Sequence, residues 1–406
     1  MKILFYNHTG QVSGAERVLM MILNGINRER FDCAVACPEN SKMFELAKTA
    51  AVPVRGLLSL EARFTWRPGR LFRYLLSFVQ VIRNARSVVI SEAPDAIHAN
   101  SIRAGIVMAG ATIGLSVPVI WHAHDVLPHH PLSTLVRLFA LMSSRNQIVA
   151  VSNAVAKRFR GVVLRPFASR VPIRVIHNSV DLDRFHPDAR TRAAMRRALK
   201  LTGKQPAVGI VGQLTPRKGQ YELIEAFAEV SNKIPAAQLL IIGEALFNRD
   251  HEYGEQLRVL AERLGISGSI KFLGARSDVP ELIQALDVLV INSHEEPFGL
   301  TVLEGFACGT AVLATAVGGT PEMINHRYNG ALVPPRDGAS LAATLVELLQ
   351  DDQLRTQLGR NGRLTAITRF SMDRFYQEID SLFSQLVRRA DKKLSPQFLD
   401  EKLAID

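Results

Sequence analysis

The sequence predicts an α/β fold of two consecutive doubly wound domains, and three observations predict it. Short apolar runs alternate with longer helical patterns almost from end to end, the signature of βα units around parallel sheets. At 406 residues the chain has the length of two domains of ordinary size. The alternation breaks once, over residues 182–200, where Pro187 and a charged helix-like stretch separate two series of strands. In the first series the runs at 3–6, 33–36, 96–99, 118–121, 147–151 and 175–177 read as strands, because strands covered on both faces are almost continuously hydrophobic. The second series follows at 207–211, 238–242, 270–273, 288–292, 311–314 and 330–333. The predicted organisation is a first domain over 1–186, a connection over 187–203, a second domain over 204–370 and a C-terminal helix and tail over 371–406. That helix places Phe375, Ile379, Leu382, Phe383 and Leu386 on one stripe, and it is expected to cross back to the first domain. In such sheets ligands bind beyond the carboxyl ends of the strands, so a cleft between two facing domains is expected.

Composition narrows the class. Hydrophobic residues at 47% and charged residues at 21% describe a folded globular chain and exclude a disordered or collagenous one. Three cysteines, Cys33, Cys37 and Cys308, make no disulfide framework, and Cys33 and Cys37 read as core residues of a strand. No run approaches the roughly 18–20 apolar residues of a spanning helix. The opening residues read as a buried strand rather than a leader, and the expected compartment is the cytoplasm.

The formal charge of +11 lies on one side of the chain. Residues 1–190 carry 24 Lys and Arg against 12 Asp and Glu, and residues 191–406 carry 25 against 26, so the first half is +12 and the second −1. A one-sided basic domain points to an anionic partner. Much of the excess lies in Arg63, Arg67, Arg70 and Arg73, next to Trp66 and a helical pattern with Leu71, Phe72, Leu75 and Leu76. This segment fits either a core helix with a basic outer face or a helix seated on an anionic membrane surface. Lys157, Arg158, Arg160, Arg165, Arg170 and Arg174 form a second basic stretch. Nucleic acid is not expected as a partner, because no recognition helix, RNA-binding motif or zinc finger accompanies the charge.

The strongest chemical signal begins after the strand at 288–292. Glu296, Pro297, Phe298, Gly299 and Leu300 lead into a helix that carries Glu304 about two turns in. A helix start here aims unpaired N–H groups at a diphosphate or a sugar hydroxyl, and two carboxylates so spaced grip a polyol at two points. The alternative is a capping and a surface carboxylate. After the strand at 207–211, Gly212 is followed by Arg217, Lys218 and Gly219, which fit a phosphate site or a solvated loop. Gly10, Ser13 and Gly14 open a helix after the first strand, where small residues admit phosphates close to the backbone. His122 and His124 alternate onto one face of a strand end beside Asp125, without a local third metal ligand. Asp181 and Asp183 read as a turn.

Together these segments resemble the family 4 retaining glycosyltransferases of the GT-B architecture. The likeness rests on the E-x7-E signature at Glu296 and Glu304 with Gly305 to Thr310 after it, and on Val317-Gly318-Gly319-Thr320-Pro321-Glu322. Ser13 to Arg17, Val151-Ser152-Asn153, Asn178 to Asp181, Lys218-Gly219, Gly243 and Phe272-Leu273-Gly274 follow in the right order. The resemblance implies transfer of a sugar from a nucleotide-sugar donor with retention of configuration and with no cofactor or bound metal. UDP is the nucleotide expected, as the commonest in such families. The basic, Trp-bearing first domain suits a glycan or lipid-linked acceptor of bacterial surface polysaccharide or glycolipid assembly, met by an enzyme peripheral on the cell membrane. Glu296 would contact the donor sugar and Glu304 the ribose hydroxyls. Backbone groups at Phe298, Gly299 and Leu300 would meet the sugar and phosphates, Lys218 and Arg217 would neutralise the diphosphate, and Gly14 would approach it from the first domain. His124 would face the reacting sugar. Two departures from the family pattern stand out: Gln213 replaces a phosphate-loop Arg, and Ser13 and Ser179 stand where Gly is usual. The alternatives are a silent scaffold that binds a nucleotide sugar, or a GT-B epimerase or phosphorylase.

Overall fold

The computed structural model describes all residues except 61–67, 142–144, 162–170, 204, 246–250 and 395–406. The chain divides into two units, Met1–His177 with Asp373–Asp406, and Asn178–Met372.

The first unit is built on seven strands, β1 (Lys2–Tyr6), β2 (Asp32–Pro38), β3 (Val54–Leu57), β4 (Ala96–Ala99), β5 (Val119–Ala123), β6 (Gln147–Ala150) and β7 (Ile173–Val175). They pair in the order β3-β2-β1-β4-β5-β6-β7, all parallel. The helices are α1 (Gly14–Gly25), α2 (Lys42–Lys48), α3 (Pro68–Glu92), α4 (Ile102–Ala111), α5 (Leu132–Leu141), α6 (Asn153–Arg160) and, from the far end of the chain, α15 (Met372–Leu394). Residues of β1, β4 and β5 are buried on both faces, which is why their sequences are continuous apolar runs. The edge strand β3 was not expected. Its Val-Arg-Gly-Leu stretch, 54–57, hides only Leu57 fully, so no apolar run marks it. The last strand lies at 173–175 instead of 175–177, with Ile148 aligned to Ile173.

Helix α15 supplies its predicted stripe to this unit. The Phe383 ring meets Phe5 edge-on at 6.0 Å and Phe31 at 5.6 Å. Tyr376 covers Gly25 at the end of α1, where a Cβ would come within 1.9 Å of the ring. Each fully buried apolar side chain of the stripe is worth about 1.5–3 kcal/mol.

The second unit has β8 (Ala207–Val211), β9 (Gln238–Ile242), β10 (Ile270–Gly274), β11 (Val288–Ile291), β12 (Ala311–Thr315) and β13 (Ala331–Val333), in the order β10-β9-β8-β11-β12-β13. Helices α7 (Ala189–Ala198), α8 (Gln220–Lys233), α9 (His251–Arg263), α10 (Val279–Ala285), α11 (Leu300–Ala307), α12 (Thr320–Met323), α13 (Gly338–Gln350) and α14 (Asp352–Arg369) surround it. Residues 187–203 lie inside this unit. Asp188 caps α7 through the N–H groups of Arg190 and Thr191. Asp287 then anchors the helix by accepting from Arg192 at 2.6 Å, while also accepting from the Ala207 N–H at 2.8 Å.

Both strand orders reverse direction once, between β1 and β4 and between β8 and β11. At such a switch point the loops part and leave a crevice beyond the strand ends. The predicted chemical residues follow β1, β5, β8 and β11.

Candidate functional site

In the second unit the loops after β8 and β11 are sewn together. The β8 loop runs through Gly212 into a short turn at Pro216–Lys218 and ends at Gly219, whose φ of +67° starts α8. Asn292 after β11 donates its Nδ2 to Gly219 O at 2.8 Å, and a Cβ on Gly219 would sit 2.0 Å from Asn292 O. The His294 N–H donates to Arg217 O at 2.8 Å, and Arg217 Nη1 donates to Glu295 O at 3.0 Å. Lys218 Nζ then reaches Glu296 Oε2 at 2.6 Å, and Ser293 Oγ donates to the same oxygen at 2.8 Å.

A third loop fixes the backbone of Glu296. Gly318, at φ +55°, passes so close that a Cβ would lie 1.9 Å from Glu296 O, and the Gly319 N–H donates to that oxygen at 2.9 Å. Thr315 Oγ1 donates to Ser293 O at 2.6 Å. Thr315 was not noted from sequence, and Ser293 and Gly318 were given no role of their own. The Gly-Gly-Thr text around Gly318 was the one available signal.

Gly299, at φ +103°, starts α11 at Leu300, so Glu304 is its fifth residue, little more than one turn in rather than two. The left-handed glycine delays the start of the helix, so Glu296 stands in the loop before it and Glu304 on its second turn. Glu296 and Glu304 are 6% and 7% exposed, and Phe298 is buried with its ring 6.1 Å from Phe370. Burial alone would raise the Glu296 pKa, but the charge and hydrogen bond of Lys218, the Arg217 charge and the Ser293 hydroxyl outweigh it, so the net shift is downward. Glu296 is therefore a fixed carboxylate, able to accept from vicinal hydroxyls, and Lys218 with Arg217 supplies positive charge beside it.

In the first unit, Gly14 opens α1 next to Ser13, whose N–H and Oγ both donate to Glu16 Oε2, at 2.9 and 2.6 Å. Ser13 is extended, with φ −126°, so that position does not require glycine. His122 and His124 share a face as expected, with ring centroids 4.0 Å apart. A third imidazole that sequence reasoning missed, His98 of β4, bonds His122 at 3.0 Å and stacks on it. Strand adjacency, not local pattern, brings it there. His124 Nε2 meets Asn100 Oδ1 at 3.1 Å. Burial pushes His98 and His124 down to about 3 and His122 well below its usual value, so all three are neutral at neutral pH.

The basic helix shows its outer face. On α3, Phe72, Leu76 and Val79 are exposed, Phe72 by 63%, and Arg73 is exposed among them. Arg70 lies in the first turn of α3, whereas Arg63, Trp66 and Arg67 lie outside the described residues. Asp181 is a turn residue whose Oδ1 accepts from the N–H groups of Asp183 and Arg184. Among the described residues no helix is long and apolar enough to cross a membrane.

Two doubly wound units in tandem, each a parallel sheet with one switch point, are the GT-B architecture. The Glycosyltransferase Family 4 model matches residues 12–184 and the Glycosyl transferases group 1 model matches residues 191–365. The chain belongs to the family 4 glycosyltransferases. It is 34% identical to a D-inositol 3-phosphate glycosyltransferase of Corynebacterium jeikeium over 54% of this chain and 53% of that one. It is 33% identical to the lipopolysaccharide core biosynthesis glycosyltransferase LpsE of Rhizobium meliloti over 50% of this chain and 54% of that one. The chain thus spans about half the length of these curated relatives. The crystal structure of Anabaena HepE in complex with UDP and glucose superposes with a TM-score of 0.79 at 28% identity, covering 95% of this chain and 99% of that one.

Proposed function

We propose that this chain transfers a sugar from a UDP-sugar donor to a glycan or lipid-linked acceptor, with retention of configuration, in the assembly of a bacterial surface polysaccharide or glycolipid. The observation that carries the proposal is the Lys218–Glu296 pair held at 2.6 Å beside the start of α11, with Glu304 buried one turn inside it. The names of the relatives, lipopolysaccharide core biosynthesis among them, and the UDP bound by HepE support the substrate class.

In this reading Glu296 accepts from hydroxyls of the donor sugar and Glu304 from those of the ribose, while Phe298, Gly299 and Leu300 offer backbone groups. Lys218 and Arg217 stabilise the departing diphosphate, which is where negative charge grows in the transition state. No covalent nucleophile is invoked. The acceptor oxygen forms its bond to the anomeric carbon on the face from which the diphosphate leaves, and its proton passes to the departing phosphate oxygen. From the first unit, Gly14 is assigned to the diphosphate and His124 to the reacting sugar. No resident metal or cofactor takes part.

A membrane seat is part of the same proposal, and α3 supports it. Exposed Phe72, Leu76 and Val79 around Arg73 suit a peripheral seat on the cytoplasmic face of an anionic membrane, where a lipid-linked acceptor would be met.

The first experiment is thermal stabilisation by UDP, GDP, ADP and TDP and their sugars, in wild type and Glu304→Ala. A shift given by UDP alone and reduced in the variant is expected. No shift with any nucleotide in the folded protein rejects the donor site, and binding without sugar transfer to any acceptor favours the silent scaffold. With an acceptor in hand, turnover that survives a chelator and a product of unchanged anomeric configuration complete the reading.

A further inference from the structure

We propose that Asn100 is a positioning residue that fixes His124 in its Nε2–H tautomer, so that His124 Nδ1 is a hydrogen-bond acceptor for a ligand hydroxyl. Two backbone carbonyls, which accept and never donate, fix the amides of this network. Asn7 Nδ2 donates to Thr9 O at 2.7 Å, which fixes the Asn7 amide and leaves its Oδ1 as an acceptor. Asn100 Nδ2 donates both to that Oδ1, at 3.0 Å, and to Ala15 O in the first turn of α1, at 3.2 Å. The Asn100 amide is therefore fixed as well, and the atom it turns to His124 is its oxygen, 3.1 Å from Nε2. An amide oxygen accepts, so Nε2 carries the hydrogen. In a neutral imidazole the lone pair is then on Nδ1.

The surroundings keep the ring in that state. Asn7 and Asn100 are fully buried, so water does not compete for their amides. The titratable groups against it are His122, ring to ring at 4.0 Å, and His98 behind that, while Asp125, next in the chain, is exposed and does not shift His124. None of these supplies an anion that would favour an imidazolium. His124 itself is half-buried, and its Nδ1 is not sealed away as His98 Nδ1 and His122 Nε2 are. The nitrogen offered to a ligand thus accepts from a group that carries a proton and repels a carboxylate or phosphate. This last step rests on the reading of His124 as a residue that faces the sugar, whereas the tautomer stands without it.

The test is the two-bond proton–nitrogen correlation spectrum of the full chain labelled with 15N-histidine, with His124→Gln used to assign the ring. The wild type is expected to show an Nε2–H imidazole from about pH 5 to about pH 8. Asn100→Leu should give a mixture of tautomers while the His98 and His122 signals persist, and Asn100→Asp should make His124 titrate within that range. An Nδ1–H or imidazolium signal in the wild type overturns the proposal, and it needs no variant to fold. So does an unchanged His124 pattern in Asn100→Leu. These spectra contain no ligand, so they decide the tautomer whatever the nucleotide panel shows. Addition of a UDP-sugar that stabilises the protein should shift Nδ1 toward the hydrogen-bonded position, and an unmoved Nδ1 in the bound state rejects the ligand contact alone.

Discussion

At the scale of single residues the site rests on one ion pair. Lys218 and Glu296 are mostly buried, and removing one partner of a buried pair leaves a charge in a poor solvent, at a cost of about 3–5 kcal/mol in well-enclosed cases. Lys218→Met is therefore expected to lower the unfolding free energy by about 2–4 kcal/mol, while Lys218→Met with Glu296→Gln restores part of it. Denaturant unfolding of the two single variants and the double variant reads the coupling, and purely additive effects would show that the pair is not coupled. The pH dependence has a definite sign. Because the folded pKa of Glu296 lies below its ordinary value, its contribution is present above the unfolded carboxylate range and is lost as the pH falls through the folded pKa. Glu296→Gln should lose that acid limb of the stability curve, and an identical acid profile in the two proteins would refute the assignment. Glu296 and Lys218 were legible because each stands between a strand end and a helix start, and Glu304 because it follows Glu296 at the E-x7-E spacing. Asn100, His98 and Thr315 were not, since each acts through the strand or loop beside it, and neighbouring strands leave no local mark in the sequence.

At the scale of elements, α15 shows what a hydrophobic stripe can and cannot say. The spacing of Phe375, Ile379, Leu382, Phe383 and Leu386 marks the helix and its buried face, and all five are buried. What the stripe covers is a matter of tertiary contact: Phe383 lies against Phe5 of β1, Phe31 and His98 of β4. Phe383→Ala removes a fully buried ring from the middle of that contact, and a loss of about 3–5 kcal/mol is expected. Hydrogen exchange should place the loss in the first unit, with faster exchange of β1 and β4 amides and unchanged protection of β8 and β11. Loosening of both units alike would mean that α15 does not belong to one of them. Strand β3 was the element that sequence reading missed, because an edge strand that buries one residue carries too few apolar positions to be distinguished from a loop.

At the scale of the whole molecule, the charge asymmetry was legible by counting, and the structure adds where some of it stands. The basic half carries 24 cations against 12 anions, and part of the surplus lies beside the exposed apolar residues of α3. Apolar side chains and cations on one helix face reinforce each other at an anionic membrane: each Lys or Arg near the surface adds about 1 kcal/mol, and the apolar groups add a contribution that salt does not screen. Binding to vesicles rich in anionic lipid should therefore weaken with salt without vanishing, and fall by at least tenfold when Arg67, Arg70 and Arg73 are all replaced by Glu. Phe72→Ser with Leu76→Ser should remove the part that persists at high salt. Sedimentation with vesicles of graded anionic content separates the two contributions. Equal binding to neutral and anionic vesicles would deny the role of charge, and binding abolished by moderate salt would deny the role of Phe72 and Leu76. A wild-type chain that binds neither vesicle would return α3 to the simpler reading, a packed helix with a basic outer face.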